Sequence, residues 1–293
     1  MNGYSRRDFL KTGIAAGTLA SVGTLPVHAA RATATDKVTL GNSGLQVTRL
    51  AFGTGSNNGH VQYALGQAEF TKLVRYAYDR GIRFFETAEA YMTPAMLGEA
   101  LKGLPRDSYQ LMTKVTTDQG VDPQVRFDEM RKKSQTEYFD IMLLHWQHTA
   151  DWVSQTQRWQ DGINEAQEKK VILKRGASVH GLPALRQVPG NKWLEVAMIR
   201  MNHKGAVMDS AVADDGNLGD VAEVVQHVKQ VKQQGMGVIS MKLVGNGTFT
   251  SHEDRLAAMK FAFRNAGIDC ATVGFKSPQE VDEAIDNMNA ALA

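Results

Sequence analysis

Four side chains able to hold or move a proton stand in the first half of the chain: the carboxylate of Glu86, the phenol of Tyr91, the amine of Lys114 and the imidazole of His145. A carboxylate and an amine form ion pairs, and phenols and imidazoles serve as general acids and bases. Taken singly, each also has a structural reading: Lys114 with Glu86 as an ordinary ion pair, and His145 beside Trp146 as a packed core residue. Their positions set them apart, because the segments FFETAEAY, LMTKV and DIMLLHW put each at or just beyond the end of a short β-rich apolar run.

Those runs belong to a pattern that continues along the chain. The spacing predicts strands at 50–53, 84–87, 109–114, 141–145, 173–179, 196–201, 238–242 and 271–275. Longer amphipathic stretches at 69–79, 94–102, 123–136, 152–170, 221–234, 252–265 and 278–292 predict helices, with a turn or two of helix at 182–187. Val38 and Leu40, a GNSG turn, then Leu45 and Val47 predict a short N-terminal β-hairpin. Strict alternation of strand and helix predicts an α/β fold, a (β/α)8 TIM barrel over 37–293, with its chemistry at the C-terminal strand ends. An open doubly wound sheet is the alternative. It is disfavoured because the first strand runs into FGTGSNNG, which lacks the G-x-G-x-x-G fingerprint of a dinucleotide-binding open sheet.

The first residues carry an address. SRRDFLK at 5–11 is followed by a mildly apolar stretch over 12–27 and small residues around Ala29 and Ala30, the three-part pattern of a cleaved signal over 1–29. The paired Arg6 and Arg7 followed by Phe9, Leu10 and Lys11 resemble the twin-arginine consensus, which implies the twin-arginine export machinery as a partner and a periplasmic or otherwise exported protein. The apolar run contains Gly13, Gly17 and Gly23 and falls short of the ~20 residues that span a bilayer, so no stable membrane anchor is expected. Loss of 1–29 removes Arg6, Arg7, Lys11 and Asp8 and takes the formal charge from +2 to zero, leaving no basic footprint for nucleic acid. The single cysteine, Cys270, excludes an internal disulfide and cysteine-rich metal clusters, and His145 and His148 lack a third histidine nearby, so no metal site is assigned.

Over 37–290 the chain resembles the aldo-keto reductases. The segments LGNSGLQVTRLAFGTG, GIRFFETAEAY, LGEALKG, TKV, FDIMLLHW, VILKRGASVHG, GMGVISMKLVGNG and VGFKSPQEVDEAI occur in family order. The resemblance implies hydride transfer between a nicotinamide and a carbonyl (aldehyde, ketone or sugar) or alcohol substrate of small size. It assigns Tyr91 as proton donor, Lys114 as the cation that lowers the phenol pKa from about 10, Glu86 as the partner of Lys114, and His145 as the group that orients the carbonyl. It assigns the dinucleotide to Gly53 and Thr54, Ser178, Asn202, Met241 and Lys242, Gly245 and Gly247, and Lys276 and Ser277. NADP is the expected cofactor, held at its 2′-phosphate by Lys276 and Ser277.

The chain departs from the family at several of these positions. Glu86 stands in place of Asp, which adds about 1.5 Å of side chain, so either Lys114 shifts or Glu86 folds back. Met198 replaces an amide side chain that contacts the nicotinamide carboxamide, and Met241 a tyrosine that stacks on the ring; simple barrel packing is the other reading of both. Glu280 replaces an arginine common among NADP-preferring members, which keeps NAD open, and Ala284 an asparagine that touches adenine. Trp146, Trp152 and Tyr63 are expected around the pocket. Two other functions remain open on this reading: a noncatalytic nicotinamide-nucleotide-binding or sensor protein on the same barrel, and a redox-neutral sugar epimerase or dehydratase.

Overall fold

Eight apolar runs become eight parallel strands, buried on both sides because each packs one face on a shared interior and the other against helices. The computed structural model describes residues 31–118, 120–212 and 216–293; the predicted signal lies outside the described residues. The hairpin pairs β1 (Lys37–Thr39) with β2 (Gln46–Thr48) antiparallel. The strands β3 (Leu50–Gly53), β4 (Phe84–Glu86), β5 (Gln110–Val115), β6 (Phe139–Gln147), β7 (Ile172–Val179), β8 (Val196–Arg200), β9 (Gly237–Met241) and β10 (Cys270–Gly274) follow one another around a closed barrel, with β10 hydrogen-bonded back to β3. The (β/α)8 barrel with an N-terminal hairpin is therefore the observed fold.

Helices α1 (His60–Tyr63), α2 (Gly66–Asp79), α3 (Pro94–Leu101), α4 (Pro123–Lys133), α5 (Trp152–Gln155), α6 (Gln157–Glu168), α7 (Leu182–Leu185), α8 (Val221–Gln233), α9 (His252–Lys260) and α10 (Pro278–Leu292) connect the strands. Two differ from the sequence expectation for local reasons. The helix expected at 152–170 is broken at Thr156, whose hydroxyl bonds back to the Trp152 carbonyl at 2.8 Å and whose backbone leaves the helical region. The helix expected at 252–265 is α-helical only to Lys260 and widens into π-helical turns over Phe261–Ala266 before left-handed Gly267 ends it. Among the described residues, no helix is long and apolar enough to cross a membrane.

Alternation divides the core in two. Ala51, Phe84, Met112, Ile141, Leu143, Val196, Met198, Ile239, Met241 and Cys270 pack with Leu40 and Val47 of the hairpin, so this is the interior cluster and the hairpin plugs one end of it. Gly237 opens β9 against Leu40, and a Cβ there would come within 2.8 Å of the leucine, so the plugged end is the N-terminal one. The second cluster, including Phe52, Phe85, Met142, Ala197 and Ile199, is the layer between strands and helices. With one end stoppered, the opposite end of the barrel is left for the polar groups.

Candidate active site

Strand phase brings the polar groups together. Glu86 ends β4 in register with Gly53 of β3 and Met112 of β5, and Lys114 lies one inward position beyond Met112. Lys114 Nζ forms an ion pair with Glu86 Oε1, donates to the Thr87 carbonyl at 3.0 Å and meets the Tyr91 hydroxyl at 3.2 Å. Glu86 and Lys114 are 2% and 1% exposed, so the pair is almost fully buried. Glu86 Oε2 also accepts the Thr54 N–H at 3.3 Å. The longer carboxylate thus does not fold back: it spans from Lys114 to the backbone that follows β3.

Tyr91 stands in the loop between β4 and α3, and its placement depends on Gly55, where a Cβ would collide with the phenol ring. Its ring meets that of His145 edge-on at 5.7 Å between centroids. His145 lies in β6 at a bulge, since the pairing with β7 shifts register between Leu144 and Gln147. Trp146 takes up the extra residue with a left-handed backbone, φ 55°, rare for a bulky side chain. Bulges of this kind re-aim side chains at sheet ends, and here the strand continues past His145 to Gln147 rather than ending at the imidazole.

Burial and charge act on these groups in opposite directions. Burial raises the Tyr91 pKa above that of a free phenol; Lys114 pulls it down without overcoming that effect, while Glu86 adds to the rise. The expectation that Lys114 produces a net lowering is therefore corrected, because the phenol is deeply desolvated. Burial also works against the Lys114 charge, yet Glu86 and Tyr91 outweigh it and its pKa is raised. Burial, then Lys114 and Lys242, hold His145 down to about 3. The site therefore contains a protonated phenol, a permanent ammonium and a neutral imidazole.

Beside Tyr91 opens a cleft of about 540 Å³, lined by Gly53, Gly55, Glu86, Met198, Met241, Lys242, Asn246, Gly247, Phe249, Arg255, Thr272, Lys276, Glu280, Glu283, Ala284 and Asn287 among others. Of the residues expected to face a dinucleotide, Gly53, Met241, Lys242, Gly247 and Lys276 line it. Thr54, Ser178, Asn202, Gly245 and Ser277 do not. Thr54 is buried, its hydroxyl accepting from Thr93 at 2.8 Å. Asn202 donates to the Ala206 and Lys242 carbonyls at 2.7 and 3.2 Å and accepts from the Lys204 and Ala206 N–H groups, so its amide ties two loops together. Ser178 lies 3.2 Å from His180, and Ser277 caps α10 by accepting the Glu280 N–H at 3.3 Å. Gly245 keeps a left-handed backbone behind the loop, where a Cβ would collide with Thr248 Oγ1. Trp152 is not at the pocket: it is buried in the outer core with its indole N–H on the Ala184 carbonyl at 3.2 Å. Tyr63 and Trp146 are exposed.

Sequence reasoning missed a buried group beside this site. His180 Nδ1 meets Arg200, and Arg200 lies 3.8 Å from Asp209, which accepts the Gly181 N–H at 2.8 Å. Burial, then Arg200, holds the His180 pKa well below the usual imidazole value. The signal was present in β8: Arg200 has the same strand phase as inward Val196 and Met198, and a charged residue at an interior position of a barrel needs a reason. Arg255, Glu283 and Asn287 were missed as well, although Glu280, Glu283 and Asn287 share one helical face of α10.

The depressed imidazoles of His145 and His180 make folding pH-dependent. An unfolded imidazole binds a proton near pH 6.5, whereas folded His145 does so only at about 3. Stability is then full above pH 6.5 and is lost as pH falls toward 3, because the unfolded chain binds the extra protons. The unfolding free energy should drop by about 1.4 kcal/mol per pH unit for each such imidazole. Urea titrations between about pH 7 and 5 should give a shallower dependence for His145→Asn than for the parent. Identical slopes would mean that His145 titrates normally in the fold.

A family model described as Aldo/keto reductase family matches residues 49–266. A Glycine max protein named "Probable aldo-keto reductase 1" is 38% identical over 80 residues, 26% of this chain and 23% of the relative. Glycerol 2-dehydrogenase (NADP(+)) of Saccharomyces cerevisiae is 30% identical over 107 residues, 36% of this chain and 32% of the relative. The chain thus spans a third or less of the length of these curated relatives. An aldo-keto reductase from Klebsiella pneumoniae in complex with NADPH superposes with a TM-score of 0.66 at 16% identity, covering 87% of this chain and 89% of the other. A holo aldo-keto reductase from Bacillus halodurans does so with a TM-score of 0.66 at 17% identity, covering 88% and 95%; at such identities the likeness is one of fold. With a matched segment that contains Glu86, Tyr91, Lys114 and His145, the chain belongs to the aldo/keto reductase family.

Proposed function

We propose that the protein is an exported, NADP-dependent oxidoreductase that interconverts a small carbonyl compound (an aldehyde, ketone or sugar) and its alcohol, with Tyr91 as the proton donor. The observation that carries this reading is the Tyr91 hydroxyl 3.2 Å from a buried, paired Lys114 at the floor of the cleft. A volume of about 540 Å³ falls in the range of ligand and cofactor clefts. The residues fit a dinucleotide: Gly247 leaves backbone open to the cleft, Met198 and Met241 give it an apolar wall, and Lys242, Arg255 and Lys276 supply positive charge. Met198 and Met241 would cover the nicotinamide, the β9 loop from Lys242 to Gly247 its pyrophosphate, and Lys276 the adenosine end. A glycerol dehydrogenase among the relatives carries NADP(+) in its name, and a neighbour of the same fold is a complex with NADPH.

The dinucleotide, when bound, supplies or receives the hydride. The chain's own residues handle the proton. As negative charge develops on the carbonyl oxygen, Tyr91 donates its O–H, and the resulting phenolate faces the Lys114 ammonium, which stabilises it where water does not compete. Glu86 holds Lys114 charged and in place. His145, neutral at working pH, donates an N–H to the same oxygen without adding a second buried cation. In the alcohol-oxidising direction the same groups run in reverse, with Tyr91 accepting the proton. The twin-arginine motif at Arg6 and Arg7, the apolar stretch and Ala29 support export in the folded, cofactor-loaded state.

Carbonyl reduction by Tyr91→Phe should fall to background while NADPH affinity measured by titration stays within about two-fold, since the phenol acts only at the reacting oxygen. Normal turnover in Tyr91→Phe on every substrate that the parent accepts would end the mechanism. Glu86→Asp shortens the carboxylate by about 1.5 Å, so it must give up either Lys114 or the Thr54 N–H; its kcat should drop at least about ten-fold, and a gain would mean that the glutamate is a defect. For export, changing Arg6 and Arg7 together to Lys should leave precursor in the cytoplasm on fractionation. Unaltered appearance of processed protein outside it would remove the signal assignment.

A further inference from the structure

The first turn of α10 is ill suited to hold a 2′-phosphate by itself. Its serine is occupied by capping, since Ser277 Oγ accepts the Glu280 N–H. Glu280 closes the same turn from the other side: its Oε2 accepts the Lys276 N–H at 2.8 Å, and its Oε1 lies 3.7 Å from Lys276 Nζ. A carboxylate therefore faces the one ammonium that this turn offers.

A guanidinium reaches the same part of the cleft from a different helix. Arg255, in the first turn of α9, lines the cleft together with Lys276, Glu280 and Glu283. Its Nε and Nη2 grip Glu283 at 2.6 and 3.0 Å, one to each oxygen. Its Nη1 is fixed by the Phe249 and Thr250 carbonyls at 3.1 and 2.8 Å. The fork is thus held in orientation by backbone, and the Arg255 and Glu283 side chains are 28% and 30% exposed.

Building on the dinucleotide reading above, we propose that Arg255 is the clamp for the 2′-phosphate of NADP and that Glu283 is the carboxylate it releases, so that this pair sets the choice of NADP over NAD. A guanidinium fork accepts carboxylate and phosphate with the same bidentate geometry. A phosphate monoester carries about −1.5 to −2 near neutral pH, against −1 for a carboxylate, so the exchange favours the phosphate. Breaking the resting pair is offset, because the phosphate takes over both N–H bonds of the fork. Glu283 is not stranded afterwards: its Oε1 already lies 3.3 Å from both His252 Nδ1 and Asn287 Nδ2. NAD offers only a ribose hydroxyl, which cannot compete with Glu283 for the fork.

Calorimetric titration of the purified full chain with NADPH and with NADH tests this without turnover. Arg255→Ala should weaken NADPH about 10- to 100-fold and leave NADH within about two-fold. Arg255→Lys, which keeps charge but loses the fork, should fall between, and it carries the test if the alanine variant does not fold. Glu283→Gln should tighten NADPH several-fold and leave NADH unchanged, a sign opposite to that of a structural ion pair. Equal losses for both dinucleotides in the Arg255 variants, or weaker NADPH binding in Glu283→Gln, would overturn the clamp. A parent that binds NADH but not NADPH would overturn it while sparing the dinucleotide site, and a parent that binds neither would overturn both.

Discussion

The C-terminal end of this barrel depends on keeping Lys114 charged where water does not reach. An ammonium taken out of water costs several kcal/mol, and only an opposite charge with complete hydrogen bonding offsets that. An ammonium has three N–H donors, and Lys114 has three partners: Glu86, the Thr87 carbonyl and the Tyr91 hydroxyl. Glu86 is satisfied in turn by Lys114 and the Thr54 N–H. Thr54 extends the set through its hydroxyl to Thr93, the cap of α3. The ends of β3, β4 and β5 and the start of α3 are thereby one connected polar unit, and Tyr91 takes its position from it.

The glutamate, unusual for the family, belongs to this unit rather than perturbing it. Gly53 and Glu86 are register neighbours, and a Cβ at Gly53 would approach Glu86 Oε2 to 3.2 Å, so the small residue leaves space for the longer carboxylate. On the other side of the barrel mouth, Met198 and Met241 take positions where the family has polar or aromatic contacts, and Arg200, His180 and Asp209 form a second buried polar group nearby.

The fold was legible because its signal is repeated: eight apolar runs in alternation with amphipathic segments tolerate errors of one or two residues at any boundary. The candidate site residues were legible because Glu86, Lys114 and His145 lie at or near strand ends, and Tyr91 follows one, beside text that resembles the family. What escaped depends on contacts distant in sequence. Nothing near Thr156 in the sequence announces that its hydroxyl will break a helix, and Trp152 looks like any aromatic after a strand until the outer core closes over it. The net effect on the Tyr91 phenol also escaped, since it is a contest between burial and Lys114 that only the three-dimensional surroundings decide. Arg255 was invisible for a similar reason: it lies 28 residues before Glu283 and meets it only because α9 and α10 pack side by side.

Both ends of the cleft use paired carboxylates and cations, but in different dielectric surroundings. At the deep end, Glu86 and Lys114 are almost fully buried, where two opposite charges attract strongly and neither tolerates separation. At the outer end, Arg255 with Glu283 and Lys276 with Glu280 are partly exposed, where water screens the same attraction. The first arrangement suits a group that must hold one geometry and one charge through every cycle of proton transfer. The second suits groups that must exchange one anion for another each time a charged molecule enters and leaves. Depth in the barrel, rather than residue type, is what separates the two kinds of pair.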